Sequence, residues 1–451
     1  MRSPKRQQQQ RSRKLESKLL TLLLKKDAGK RTPKKTRIPS PKKKKRQQDG
    51  TGGIKDINNI HSVIDFFNSH YDDENLNRKE DLLLTTLELY EEFFNAFKNV
   101  PSFTLPEMNV TTFDSRKPTF NHINQNLWPD IEKQMMTTYT CQVDIKKRIH
   151  IHITIGDEDN ENTVKMYLKL IIFWLHVVSQ YATDTTCTTD LNIFLLLSDL
   201  KKVLPTGECT ENTCLVKNTS VNTGYSLKCR NIVIYRKEEW LKVFIHETIH
   251  NYGLDFSFVD QKEERNVANL FGIKKSIIIR LYEAYTESWA RMLHSMLIAY
   301  DIEKDDLDKF IKLADKNIRL ERMNAYFQTS KIIKYMGLDK YMNETMDNLE
   351  TYEEDTSNLS YYFIVCILYS DYQSYIQWCR NNNRPNILQF DNDKEDQQQR
   401  FVTFINQKKS LEEEFKQKIK YYSKTFFKTV TDGYLYRYMR KSLLEKKSLK
   451  G

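Results

Sequence analysis

Val243-Phe244-Ile245-His246-Glu247-Thr248-Ile249-His250-Asn251-Tyr252 is the stretch on which the reading of this chain turns. Its only formal charge is Glu247, and it lies in a longer segment, Lys237–Tyr252, that reads as one helix. Residues i and i+4 of a helix share a face about one turn apart, so His246 and His250 can reach a single zinc ion. Glu247 adjoins the first histidine, where it can take a proton from an activated water and pass it to a leaving amine. The apolar residues around these three predict a helix buried on its other sides. Glu238 and Glu239 fall in the expected first turn, where acids suit the helix dipole.

A catalytic zinc needs a third protein ligand and an open position. Glu283 is the first candidate, on an apolar helix expected over Ser276–Tyr300 whose few charges are Arg280, Glu283, Glu287 and Arg291. Glu283 and Glu287 are four apart and share a face. Two carboxylates on a buried face need partners, since a lone buried charge is costly. Glu283 on the metal and Glu287 on an imidazole N–H would satisfy both. Glu–Arg bridges, Glu287–Arg291 among them, are the structural alternative. In the pattern HExxHxxGxxH, Gly253 is in place, but position 256 is Phe; Asp255, one residue short, is the alternative third ligand. Asp260 is a further, weaker one.

Working outward, Arg148–Ile155 (RIHIHITI) alternates with period two and predicts a strand. His150 and His152 share one of its faces; with no third ligand nearby, they read as polar residues on the outer side. Thr163–Tyr181 predicts a helix, Leu191–Leu197 an apolar strand, and Val221–Leu227 and Asn231–Tyr235 two more strands. Beyond Gly253 the segments Lys275–Tyr300, Lys304–Asn317, Leu320–Tyr335, Ser360–Arg380 and Gln397–Thr429 read as helices. The fold class expected is α+β: a small sheet carrying the motif helix, then a mainly helical C-terminal part. The parts are a disordered basic tail (1–53), a mostly helical region (54–145, with helices at Ile60–Phe67 and Leu82–Phe97), a catalytic core (146–300) and a helical C-terminal region (301–451).

Composition narrows the function classes. Of 451 residues, 71 are Lys or Arg and 60 are Asp or Glu, a formal charge of +11. Residues 1–53 hold 19 basic and three acidic side chains, or +16, which leaves −5 for the other 398. The basic character thus belongs to a tail, not to a nucleic-acid-binding body; Lys42–Arg46 suits nuclear import or the binding of nucleic acid or another polyanion, and a solvated, solubilising tail is the equal alternative. No apolar run reaches the roughly 18–20 residues of a membrane span. Leu170–Val178 reads as a buried helix, and Leu19–Leu24 is too short for a secretion signal. The seven cysteines (141, 187, 209, 214, 229, 366 and 379) are loosely spaced. Cys209 and Cys214 are a weak zinc pair; loop thiols or a local disulfide are the better reading. Aromatics interleave with basic residues over 408–451, and at helical spacing they read as a packed face with lysines in water rather than a single-strand binder.

At His246, Glu247, His250, Glu283 and Glu287 the sequence resembles the zincin metallopeptidases, in particular the gluzincin branch. The Glu-x-x-x-acid spacing is similar to that of the thermolysin-like and related integral-membrane families. The strand, helix, strand, strand, helix order before the motif resembles the zincin half-domain. Tyr235–Trp240 through Leu254–Ser257, with Val221–Gly224, also resembles uncharacterised metallopeptidase-like proteins of giant DNA viruses, over roughly 185–295. The resemblance implies a zinc-dependent hydrolase of proteins or peptides, in which His246, His250 and Glu283 hold Zn2+, Glu247 is the base and Glu287 orients a ligand histidine. It also implies a viral protein of the host cytoplasm or nucleus, or of the virion. Zincins add a substrate strand to a sheet edge, for which Val221–Leu227 is the candidate. They also use a Tyr or His on the oxyanion, with Tyr252 and Tyr285 as local options. The rival reading is a catalytically inactive zinc-containing virion or scaffold protein with a nucleic-acid-binding tail; an intact Glu247 weighs against it.

Overall fold

The computed structural model describes residues 62–65, 67, 82–183, 190–204, 214–227, 229–274, 277–338, 349–350, 352–411, 417–422 and 434–445. The expected tail at 1–53, Cys187 and Cys209 lie outside them. Residues 51–451 form one compact unit.

A mixed six-stranded sheet organises that unit, in the order β1 (Asn109–Thr112), β2 (Thr137–Ile145), β3 (Lys147–Ile155), β4 (Leu191–Leu196), β6 (Asn231–Ile234), β5 (Gly224–Leu227). β3, β4 and β6 run parallel, while β1, β2 and β5 are antiparallel to their neighbours. The alternation of β3 is realised: Ile149, Ile151, Ile153 and Ile155 are buried, each contributing about 1.5–3 kcal/mol. His150 and His152 take the other face, where His152 stacks on Phe194 at 4.5 Å and His150 lies 3.7 Å from Asp190.

Among its described residues the region 54–145 is not mostly helical. It holds α1 (Leu84–Lys98), close to expectation, and the short α2 (Trp128–Gln134), but β1 and β2 join the sheet. β2 reads TTYTCQVDI. Its strand tendency comes from β-branched and aromatic residues rather than from apolar alternation, so periodicity alone does not reveal it.

The helix α3 (Glu161–Ser179) makes the parallel crossover from β3 to β4 and buries Leu170, Trp174 and Val178. β6 then feeds α4 (Trp240–Asn251), the motif helix. α4 starts later than expected. Glu239 is its N-cap, at φ 59, and its carboxylate is occupied by Lys202 Nζ at 2.7 Å and Ser442 N at 2.6 Å. These partners, more than the helix dipole, account for its burial. Helices α5 (Glu264–Leu270), α6 (Leu281–Ile302) and α7 (Leu307–Tyr335) follow. α6 begins five residues after the expected start, and α7 is continuous where two helices were expected. The expected helix over 360–380 is divided into a π-helical turn (Leu359–Ile364), α8 (Val365–Ser370) and α9 (Tyr372–Asn382). Asp371 turns the chain between the last two and caps Ser374 N. α10 (Gln397–Leu411) follows, and residues 417–422 are again helical. No helix among the described residues is long and apolar enough to cross a membrane.

Candidate metal centre

α4 is buried along its whole length. Trp174 Nε1 donates to Thr248 Oγ1 at 2.8 Å and ties it to α3. At its end Gly253, at φ 63, takes the left-handed conformation that glycine tolerates best. Gly253 N donates to His250 O and Leu254 N to Ile249 O, the pair of bonds that closes a Schellman turn. The turn carries the chain back beside its own helix. It delivers Asp255 to His250, while Phe256 enters the core against Phe390, with ring centroids 4.2 Å apart.

α6 packs on α4 and carries Glu283 in its first turn. Three donor atoms converge there. His246 Nε2 is 3.0 Å from His250 Nε2 and 3.1 Å from Glu283 Oε2, and His250 Nε2 is 3.5 Å from the same oxygen. Tetrahedral ligands about 2.05 Å from zinc stand about 3.3 Å apart, so the triangle has the size of a zinc site. Among the described residues this is the group of His, Cys, Asp or Glu that could hold a metal ion.

The other side of each imidazole faces a carboxylate. His250 Nδ1 is 2.5 Å from Asp255 Oδ2. His246 Nδ1 approaches Glu287 Oε2 at 3.1 Å, too bent for a good hydrogen bond but close enough for charge to act. Anions at both Nδ1 atoms favour the tautomers with Nδ1–H, which turn both Nε2 lone pairs toward Glu283. Two lone pairs and a carboxylate repel at that point unless a cation, or a proton on one Nε2, sits among them.

The carboxylates are held in turn. Glu287 receives Lys242 Nζ at 2.9 and 3.0 Å and Arg291 Nε at 2.8 Å. Burial opposes its charge, but Lys242, Arg291 and Lys441 outweigh that and hold its pKa well below the ordinary range. The alternative Glu287–Arg291 bridge therefore coexists with the approach to His246. Asp255 accepts from Thr286 Oγ1 (2.9 Å), Ser257 N (3.2 Å) and Ser257 Oγ (2.8 Å). Burial also opposes the charges of Glu283 and His250, but Asp255 and then Glu283 hold His250 well above its usual value, and His250 and then His246 hold Glu283 well below its own.

Glu247 differs from these. It is buried, and no hydrogen bond or ion pair holds it among the described residues. The phenols of Tyr235, Tyr282 and Tyr361 feel its charge.

Two sequence candidates lie elsewhere. Asp255 stands behind His250 and outside the donor triangle, because the turn at Gly253 presents it to Nδ1. Asp260 is exposed, and its carbonyl bonds Gln398 Nε2. Tyr285 is turned away, donating to Leu388 O at 2.8 Å and accepting from Asn383; the ring of Tyr252 lies under Lys147 Nζ, 3.8 Å from its centre. Instead Tyr282 meets the His250 ring at 5.7 Å and Tyr361 the His246 ring at 6.1 Å. Lys242 had a readable signal, since it is four residues before His246 and shares its face. Tyr361 had none. Cys214 is disulfide-bonded, as is Cys229, which removes the thiolate that the weak zinc reading of Cys209 and Cys214 required; Cys141, Cys366 and Cys379 are free. The chain matches no known protein family, no curated protein and no solved structure.

Proposed function

We propose that the chain is a zinc-dependent peptidase of the gluzincin type. The observation that carries the reading is the convergence of His246 Nε2, His250 Nε2 and Glu283 Oε2 into a triangle with sides of 3.0, 3.1 and 3.5 Å, backed by carboxylates at both Nδ1 atoms. His246, His250 and Glu283 would hold the zinc, which supplies Lewis acidity to activate water and polarise a carbonyl.

The chain's own residues do the rest. Glu247 takes a proton from the attacking water as its oxygen bonds to the peptide carbon. It then gives that proton to the amide nitrogen as the C–N bond breaks. Its lack of a competing partner leaves the carboxylate free for this exchange. Glu287 and Asp255 fix the imidazoles, and Lys242 and Arg291 fix Glu287. Tyr361 and Tyr282 are the phenols nearest the ligands and the candidates for steadying negative charge on the carbonyl oxygen.

The substrate is proposed to add as a strand along β5. β5 is the outer strand of the sheet and lies beside α4. Tyr235 N bonds Thr223 O, and antiparallel alternation then turns the backbone groups of Gly224 and Ser226 away from β6. A Cβ on Gly224 would meet Val233 O at 2.7 Å and Val243 of α4 at 3.1 Å, so only glycine keeps this strand close to the motif helix.

The test measures bound zinc and cleavage of a mixed peptide library by the full chain. Glu247→Gln is expected to keep zinc and lose cleavage, and Glu283→Ala to lose zinc affinity. Cleavage by Glu247→Gln at the wild-type rate refutes the mechanism. Unchanged zinc affinity in Glu283→Ala removes Glu283 from the ligand set.

A further inference from the structure

The segment Tyr434–Glu445 crosses the molecule as a strap, and its polar groups are met one after another. Leu204 N donates to Arg437 O at 2.8 Å and Met439 N to Lys202 O at 2.8 Å. Tyr362 OH donates to Met439 O at 3.1 Å, Gln328 Nε2 to Arg440 O at 2.8 Å and Asn324 Nδ2 to Lys441 O at 3.0 Å. Ser442 N reaches Glu239 at 2.6 Å. Ser442 Oγ, Leu443 N and Leu444 N all converge on Glu321 Oε1, at 2.6, 2.9 and 3.1 Å. Arg440 and Lys441 are buried, so the basic side chains here are not the solvated face that the sequence suggested.

This anchoring leaves Lys441 little choice of position. Its Nζ stands 3.0 Å from the centre of the Tyr361 ring. Tyr361 is itself pinned at the backbone, where Arg291 Nη2 donates to its carbonyl at 3.1 Å and its N–H bonds Ser357 O at 2.9 Å. Its ring centroid lies 6.1 Å from that of His246, and the Glu283 charge acts on its phenol. Burial pushes the Lys441 pKa well below its ordinary range, with Glu287 the main anion that opposes this and Glu283 a lesser one. A cation over an aromatic face favours one ring placement, and more strongly when water is excluded.

We infer that Lys441 is a positioning residue of the metal centre: carried in by the strap, it holds the Tyr361 ring beside the His246 imidazole in the arrangement that receives the metal. The inference rests on the metal-site reading above and adds a determinant 191 positions beyond His250. It predicts that Lys441 and Tyr361 act on the metal as one unit.

The test is a double-mutant cycle on zinc affinity, measured by competition with a chromophoric chelator on the full chain. Outer partners of ligands typically set affinity by 10–100-fold. Lys441→Met, which keeps the stem and drops the charge, and Tyr361→Phe are each expected to weaken zinc about tenfold. The double variant is expected to be no weaker than the worse single one, and Lys441→Arg to restore most of the loss. If Lys441→Met does not fold, Lys441→Gln replaces it in the cycle. Multiplying losses, an unchanged single variant, or failure of Lys441→Arg to do better than Met overturns the inference while leaving the metal centre standing. A wild-type chain that takes up no zinc overturns both.

Discussion

Asp255→Asn separates the charge of this residue from its shape. Asp255 Oδ1 accepts from Ser257 N and Oγ, and Oδ2 accepts from His250 Nδ1 and Thr286 Oγ1. An asparagine must place its NH2 at one of these positions. On the Oδ1 side it would face Ser257 N–H, a donor that cannot reverse. On the Oδ2 side the Thr286 hydroxyl can rotate to accept, and His250 can move its proton. The amide therefore turns toward His250, makes Nδ1 the acceptor and puts the proton on Nε2. That proton occupies the lone pair needed for zinc. The expected loss is 10–100-fold in zinc affinity, or about 1.4–2.8 kcal/mol. Asp255→Ala leaves His250 free to choose its tautomer, so its zinc affinity should fall between wild type and Asp255→Asn, although it leaves Ser257 N–H unpaired and should melt lower. Chelator competition and thermal melts on the three proteins give both orders. Zinc affinity in Asp255→Asn within twofold of wild type would refute the tautomer argument.

Three other outcomes follow from the surroundings of the site. Glu239→Ala strands the buried Lys202 and the Ser442 N–H, and a loss of about 3–5 kcal/mol is expected in denaturant unfolding. Thr248→Val leaves Trp174 Nε1–H without an acceptor, at a cost of about 1–3 kcal/mol. Glu354 is pushed up to about 7 by burial. Because its folded pKa is raised, the stability it contributes is complete below the ordinary value of 4.5 and is lost as pH rises through about 7. Glu354→Gln should therefore flatten the fall in stability across that window, and at pH 8 should exceed wild type by up to about 3 kcal/mol; a parallel pH profile in the variant contradicts this.

The legible parts of the sequence are those with local periodicity. Four isoleucines at every second position define β3. The four-residue spacings of His246 with His250 and of Glu283 with Glu287 bring each pair to one helix face. β2 was hidden because polar β-branched residues make a strand without an apolar alternation. The role of Asp255 was hidden because it depends on the left-handed turn at Gly253, which moves position 255 rather than 256 to the histidine. The break at Asp371 was masked by apolar residues that continue across it. Tyr361 and Lys441 reach the site from far along the chain, and no spacing rule connects residues at that separation.

The strap has a temporal consequence. Glu239 and Ser442 are 203 positions apart, and Glu321 waits for the same serine. At ribosomal rates of about 5–20 residues per second, roughly 10–40 s pass between emergence of the motif helix and emergence of the strap. Until then Glu239, Glu321 and Lys202 need water, and the interior around His246 cannot dry. A nascent chain therefore carries its histidines early but closes their surroundings late, only once the strap has emerged.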